Sequence, residues 1–235
     1  MSTPTAPPRT ATDWDSYYQS VPVTARLTRR YTTAVLVRAM KRYARAQAEG
    51  ALAIVEIGGA NSCFLDSLLR EIAPRSYDVV DTNEYGLQLL AQRAGASRPV
   101  GGPPEAPQGG PLGPALRLHR QSVLSMSLPA TADVVFSVGL VEHFNPEETH
   151  AAVLAHFDVL RTGGLAIITF PTPTALYRAT RKFIEAIGQW KFPDERPLQP
   201  REVLRAVCER GEVLFRKTLW PLMLTQHMVV ARKVR

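Results

Sequence analysis

Three short stretches of this chain carry residues that could do chemistry. The first is Glu56 followed by Gly58-Gly59-Ala60-Asn61-Ser62, the second is Asp81-Thr82-Asn83, and the third is Glu142-His143. Small residues in a tight turn let main chain approach a ligand closely, and an acid nineteen residues beyond Ser62 can accept hydrogen bonds from ribose hydroxyls. His143 is a candidate general base, because an imidazole titrates near neutrality. Together these types suit a nucleotide-like cofactor beside a proton-transfer group.

The flanking segments must position them. Ile54-Val55-Glu56-Ile57 is a β-branched buried-strand run, and a helix-like run opens at Ser62-Cys63-Phe64-Leu65. Tyr77-Asp78-Val79-Val80 is a second strand ending in Asp81, followed by a helix over about Glu84 to Ala94 and a strand over about Leu116 to Arg120. Ala132 to Ser137 is a fourth strand running into Val138-Gly139-Leu140-Val141-Glu142-His143-Phe144. Asn145-Pro146-Glu147-Glu148 then carries an Asn cap, a first-turn proline and an N3 Glu. The helix it starts is expected to reach about Leu160 and to end on a left-handed glycine at Gly163-Gly164. Leu165 to Phe170 is a fifth strand.

A dinucleotide site wants G-x-G-x-x-G, with pyrophosphate on the helix N-terminus. Here the sixth position is Cys63, and an acid precedes the first glycine by two. The segment resembles the E/D-x-G-x-G-x-G turn of class I S-adenosylmethionine (SAM) methyltransferases, with Glu56, Gly58, Ala60 and Ser62 at the acid and three glycine positions. Asp133 to His143 resembles the FDxVxxxxxLEH segment of the small-molecule members, and Leu160 to Gly164 followed by a strand matches the family's L-x-x-G-G. The resemblance covers about residues 50 to 172 and implies an α/β fold: one Rossmann-like seven-stranded sheet, mostly parallel with the last strand antiparallel.

The resemblance also implies residue roles. Glu56 would govern the methionine end through the turn it organises, Gly58, Gly59 and Ala60 would allow close backbone approach, and Asp81 would hold the ribose. Thr82 and Asn83 would lie near the adenine edge. The family places an Asp before the fourth strand for the adenine amine. This chain has Gln121-Ser122-Val123 there, so Ser122, beside Val123, or Gln121 in a shifted register, would supply that bond. Ser137 would line the cofactor end and Glu142 the substrate end. His143 is read either as the base or as a residue that shapes the site, since the Glu-His pair recurs across relatives with different acceptors.

Outside the shared core, residues 13–48 read as an N-terminal helical lid segment. It opens with Trp14, Tyr17 and Tyr18 and continues with Leu27, Tyr31, Ala34, Val35 and the stem of Arg38 on one helical face. Tyr17 and Tyr18 either line the substrate pocket or pin the helix to the domain. Residues 171–200 are the expected substrate-recognition insertion. Tyr177, Arg178, Trp190, Phe192, Asp194, Glu195 and Arg196 form either a pocket wall, with aromatic faces for an apolar substrate, or a structural cap held by an acid–Arg pair. Helix about Arg201 to Glu209 and strands about Glu212 to Leu219 and Thr225 to Lys233 finish the chain, with a break at Trp220-Pro221. The 99–114 tract, eleven of sixteen residues Gly or Pro, reads as a mobile insertion, and residues 1–12 as a flexible tail.

At 235 residues and 45% hydrophobic composition, the chain can bury the core of one domain, here 49–235. No run approaches a membrane span. Cys63 and Cys208, without a partner motif, fit reduced thiols in a cytoplasmic setting, and Cys63 reads as a buried small hydrophobe. The five histidines show no ligand spacing, so no metal site is expected, and His150 and His156 read as structural. A net charge of +7 raises nucleic acid as a substrate. The absence of an Asn/Asp-Pro-Pro-aromatic segment or a catalytic Pro-Cys argues against it. The leading expectation is SAM-dependent methyl transfer to a small molecule, a specialised metabolite or glycan precursor. The alternatives are an RNA methyltransferase or a non-catalytic partner subunit of this fold. A homodimer is compatible with the sequence.

Overall fold

The computed structural model describes residues 11–19, 23–44, 50–95, 115–219 and 225–234. The 99–114 tract and the Trp220-Pro221 break lie outside the described residues, as does most of the tail. The elements in chain order are α1 Trp14–Gln19, α2 Val23–Tyr43, β1 Ala53–Ile57, α3 Leu65–Ile72, β2 Ser76–Asp81, α4 Glu84–Arg93 and β3 Ala115–Arg120. They continue with β4 Ala132–Val138, α5 Pro146–Val159, β5 Leu160–Pro171, α6 Ala175–Ala186, α7 Pro200–Arg210, β6 Gly211–Leu219 and β7 Gln226–Lys233.

The seven strands form one sheet in the order β3-β2-β1-β4-β5-β7-β6. β7 runs antiparallel to both β5 and β6, and the other pairings are parallel. This is the sheet expected from the sequence. The central strands are apolar on both faces because helices cover both sides. One face packs Ile54, Tyr77, Val79, Phe136 and Ile167 against Leu36, Met40, Leu65, Leu68, Leu87 and Leu90. The other packs Val55, Val80, Val135 and Ile168 against Val153 and Phe157 of α5 and Val203 and Val207 of α7. Strand order reverses between β1 and β4, so the loops after those strands diverge and leave a crevice at their C-terminal ends.

Two expectations are corrected. The buried side of α2 is Thr32, Leu36, Ala39 and Met40, whereas Tyr31, Ala34 and Arg38 are exposed, and the side chain of Leu27 is outside what is described. Both sets have helical spacing. Leu36 and Met40 win because together they bury more apolar surface than a face interrupted by Arg38. The glycines at 163 and 164 do not cap α5. The helix ends at Val159 with Leu160 already extended, and β5 begins there. Gly163, at φ +79°, sits in the irregular start of β5, where its register with β4 shifts between Ala132 and Val134.

The start of α5 follows the sequence closely. Asn145 Oδ1 accepts from Glu148 N at 2.9 Å, and Glu148 Oε2 accepts from Asn145 N at 3.3 Å. This reciprocal cap anchors the helix immediately after the Glu142-His143 turn. Replacing Asn145→Ala is expected to lower unfolding free energy by about 1 kcal/mol in a urea titration. An unchanged midpoint would show that the cap contributes nothing.

Candidate active site

The site is built around the turn after β1. Glu56 is 3% exposed, and its carboxyl accepts from Ser62 Oγ at 2.9 Å and from Tyr77 Oη at 2.7 Å. Ser62 Oγ in turn accepts from Phe64 N and Leu65 N, at 3.1 and 3.2 Å, and so starts α3. Burial pushes the Glu56 pKa up to about 7 despite these two donors. Gly58 adopts φ +75°, a conformation that costs a side-chain-bearing residue, and donates its N–H to Val80 O at 2.8 Å. The turn is thereby tied to β2 on one side and to its own acid on the other.

Asp81 holds the turn from the neighbouring strand. Its Oδ2 accepts from Ala60 N at 2.9 Å and its Oδ1 from Asn83 N at 2.8 Å. Burial raises its pKa, and the hydrogen bonds from the Asn83, Ala60 and Thr82 main chain oppose that rise. Asn83 caps α4 through Gly86 N at 2.6 Å and donates to Asp15 Oδ1 of α1 at 2.7 Å. A Cβ on Gly86 would meet Ala60 Cβ and Tyr18 Cε2, both at 2.8 Å. Glycine at that position is what lets α4, the turn and α1 converge.

A cavity of about 700 Å³ opens over the crevice between β1 and β4. One end is lined by Glu56, Gly58, Gly59, Ala60, Asp81 and Thr82. The other is lined by Glu142, His143, Tyr177, Trp190, Asp194 and Glu195, with Trp14, Tyr17 and Tyr18 of α1 across the top. Trp14 packs at ring-centroid distances of 5.2 Å from His143 and 5.9 Å from Phe192, and Tyr17 lies 5.2 Å from Phe192. Thr12 is buried, donates its N–H to Asp194 Oδ2 at 3.2 Å and hydrogen-bonds the same carboxylate through its hydroxyl. Thr12, read from the sequence as part of the tail, is instead packed into the domain.

His143 Nδ1 lies 3.0 Å from Asp194 Oδ1. A carboxylate can only accept, so Nδ1 carries the hydrogen and Nε2 is the nitrogen with a lone pair. Burial works to lower the His143 pKa, but the Asp194 hydrogen bond and the charges of Glu142, Asp194 and Glu195 outweigh it and raise it. Asp194 is partly buried, which raises its pKa, yet hydrogen bonds from His143 and Thr12 bring it down to about 2. Glu195 accepts from Tyr177 Oη, and burial raises its pKa. Glu142 is 2% exposed, its pKa is pushed up to about 8 by burial, and its Oε2 has no hydrogen-bond partner.

Other residues read from the sequence lie elsewhere. Ser137 is fully buried and bonds His156 Nε2 at 2.8 Å on the α5 side of β4, because strand alternation turns it away and presents Val138 instead. Burial holds His156 down to about 4. Ser122 accepts from Leu124 N at 3.2 Å, Val123 packs in the α5-side core, and neither lines the cavity. Asn83 also stays outside the lining, engaged by α4 and α1. Arg196 is a clamp: its guanidinium reaches both Glu202 oxygens, at 2.6 and 3.0 Å, and Thr149 Oγ1 at 3.0 Å. Arg178 is exposed. The insertion thus divides, with Tyr177, residues 190–192, Asp194 and Glu195 lining the cavity and Arg196 serving as the cap. Cys63, expected to be buried, is half-buried and lines the cavity, and desolvation pushes its thiol up to about 11.

Sequence reasoning missed the His143–Asp194 pair, since 51 residues separate the partners and no local pattern links them. It also missed Thr12 as a support, Gly86 as a contact point, and Leu140, Thr225 and Gln226 as lining residues.

No family model matches this chain, and no curated protein matches it. Solved structures do. The SAH-bound magnesium protoporphyrin IX methyltransferase of Synechocystis PCC 6803 superposes with a TM-score of 0.69 at 13% identity, covering 94% of this chain and 92% of that one. The 1,6-didemethyltoxoflavin-N1-methyltransferase of Burkholderia thailandensis, bound to 1,6-didemethyltoxoflavin and S-adenosylhomocysteine, gives 0.65 at 16% identity, covering 99% and 94%. The SAH-bound N-methyltransferase of Bradyrhizobium japonicum WM9 gives 0.61 at 13%, covering 88% and 87%. The chain has the fold of these methyltransferases. At such identities the likeness is one of fold.

The buried Glu142 carboxyl makes a direct prediction. An acid whose folded pKa is raised to about 8 loses stability as pH climbs from its unfolded value of 4.5 through 8, because only the unfolded chain ionises freely there. Glu142→Gln is therefore expected to gain about 1 kcal/mol or more relative to wild type between pH 5 and pH 8.5, read by denaturant unfolding. A difference independent of pH would mean that the carboxyl ionises in the fold as easily as in water.

Proposed function

We propose that this protein is a SAM-dependent methyltransferase acting on a small-molecule acceptor. The observation that carries the reading is one continuous cavity at the strand-order reversal. It joins the Glu56–Gly58 turn and Asp81 at one end to His143–Asp194 and an aromatic wall at the other. Donor and acceptor in one enclosed space is what methyl transfer requires, since much of the catalysis is alignment and exclusion of water.

The residues at the turn fit the cofactor's chemistry. Asp81 keeps lone pairs on both oxygens beyond its main-chain bonds, which suits a ribose diol. Glu56 gives that end of the cavity the acidic character that a cationic methionine end would favour and a pyrophosphate would oppose. When bound, SAM supplies a methyl group on a sulfonium that departs as a neutral thioether. His143 Nε2 would take the acceptor's proton, while Nδ1–H donates to Asp194, which fixes the tautomer and holds the resulting imidazolium. Trp14, Tyr17 and Phe192 would exclude water, and α1, tethered by Thr12 and Asp15, would act as the lid of the 13–48 segment. Three solved neighbours crystallised with SAH support the cofactor, and the 1,6-didemethyltoxoflavin bound to one of them supports a small acceptor.

Calorimetric titration with S-adenosylhomocysteine tests the reading. Wild type is expected to bind, and Asp81→Ala and Asp81→Asn to bind at least about tenfold more weakly, the magnitude of a hydrogen bond to a charged group. Undiminished affinity in both variants, or preference for NAD, would overturn it.

A further inference from the structure

The acceptor end of the cavity has a charge that the rest of the molecule does not lead one to expect. The chain carries a formal +7, yet Glu142, Asp194 and Glu195 gather in this end, against one lining lysine, the exposed Lys191. Asp194 is spoken for by His143 and Thr12, and Glu195 by Tyr177 and, at 3.9 Å, by Arg181. Glu142 is different. It is 2% exposed, it lines the cavity, and its Oε2 meets no donor. A buried carboxyl oxygen without a partner carries a desolvation cost that a native structure offsets only when something else supplies the donor.

The missing donor belongs to the acceptor end. Glu142 shares its surroundings with His143, Asp194 and Glu195, whereas Glu56 shares its own with Asp81 and Arg93. Aromatic faces line the same cavity: Trp190 lies 6.4 Å from Tyr177 and 5.9 Å from Phe192 by ring centroid. Arg181 already sits over the Trp190 ring at 4.9 Å, a cation–π contact of the kind an ammonium would make with these rings. Aromatic faces and a carboxyl without a donor are the combination that recognises an amine attached to an apolar or ring body.

We infer that the acceptor is an amine-bearing small molecule, held by a charge-assisted hydrogen bond from its nitrogen to the Glu142 carboxyl and by the Tyr177–Trp190–Phe192 wall. This assignment deepens the methyltransferase reading and rests on it for the word acceptor; the amine site itself stands on the cavity alone. Glu142 favours the protonated form in the empty site, because burial, with Glu195 and Asp194 beside it, penalises its charge more than His143 favours it. An ammonium beside it restores the charged form, so the site selects cations without depending on a permanently ionised residue. A neutral alcohol would satisfy the oxygen with a weaker bond, and a carboxylate would add a fourth acid to this end of the cavity.

The test is a binding screen on the full chain. Matched trios of ring compounds that differ only in an aminoethyl, hydroxyethyl or carboxymethyl side chain, beginning with tryptamine, tryptophol and indole-3-acetate and extended to phenyl and pyridyl rings, are titrated with and without S-adenosylhomocysteine. Amines are expected to bind at least about tenfold better than their alcohol and acid counterparts, and Glu142→Gln to remove most of that preference while leaving the alcohols nearly unchanged. Glu195→Gln, which leaves the Glu142 oxygen in place, is expected to reduce the preference less. Equal binding of the three classes, binding of none, or an amine preference that survives Glu142→Gln would overturn the inference. A Glu142→Gln loss that falls on S-adenosylhomocysteine instead of the amines would also overturn it, by giving the carboxyl to the cofactor's own ammonium. Amine selection without any S-adenosylhomocysteine binding would leave this site standing and remove the methyltransferase reading.

Discussion

The structure turns on a carboxyl buried where it costs most. Glu56 lies one residue before the end of a central strand, faces the α2–α3 side of the sheet, and would be destabilising there without donors. Two hydroxyls supply them, Tyr77 from the adjacent strand and Ser62 from the far side of the turn. Because Ser62 also receives the first main-chain N–H groups of α3, one side chain links the acid, the turn and the helix start. The turn then has little freedom. Asp81 holds its Ala60 N–H from β2, and Asn83 carries that support on to α4 and α1. A chain of hydrogen bonds beginning at one buried acid thereby sets the shape of the cofactor end and positions the helix that crosses the cavity.

The second end depends on a different economy of charge. His143 and Asp194 satisfy each other, Tyr177 and Arg181 attend Glu195, and Glu142 is left with an oxygen for a ligand. Such a site keeps strain in reserve for binding, since the group that is uncomfortable in the empty protein is the one a suitable partner would relieve. Trp14 and Phe192 shield this end from water and also pack against the histidine, so closure and orientation are achieved by the same side chains.

Legibility in the sequence followed the range of the interactions. Strands with β-branched runs, the capping box at Asn145 and the Glu56–Ser62 turn are local patterns, and each stands where the residues suggest. Ser137 was misplaced because β4 is apolar on both faces, so no alternation reveals which residues point at the crevice. The buried side of α2 was misjudged because two helical faces compete there, and the decision rests on what α3 and the sheet offer for packing. Arg196 and Asp194 sit two residues apart and part company, one to Glu202 and Thr149 and the other to His143 and Thr12. Those choices are tertiary, made by partners from 6 to 182 residues away, and no local spacing encodes them.

Hydrogen-exchange mass spectrometry of the full chain, with and without S-adenosylhomocysteine, probes the central claim most directly, because it reports which main-chain groups the ligand orders. The account predicts slower exchange in peptides covering 57–62, 81–83 and 138–144, together with α1, and little change in α7, β6 or β3. Protection absent from the turn after β1 and from the end of β2, in protein that binds the ligand, would contradict it.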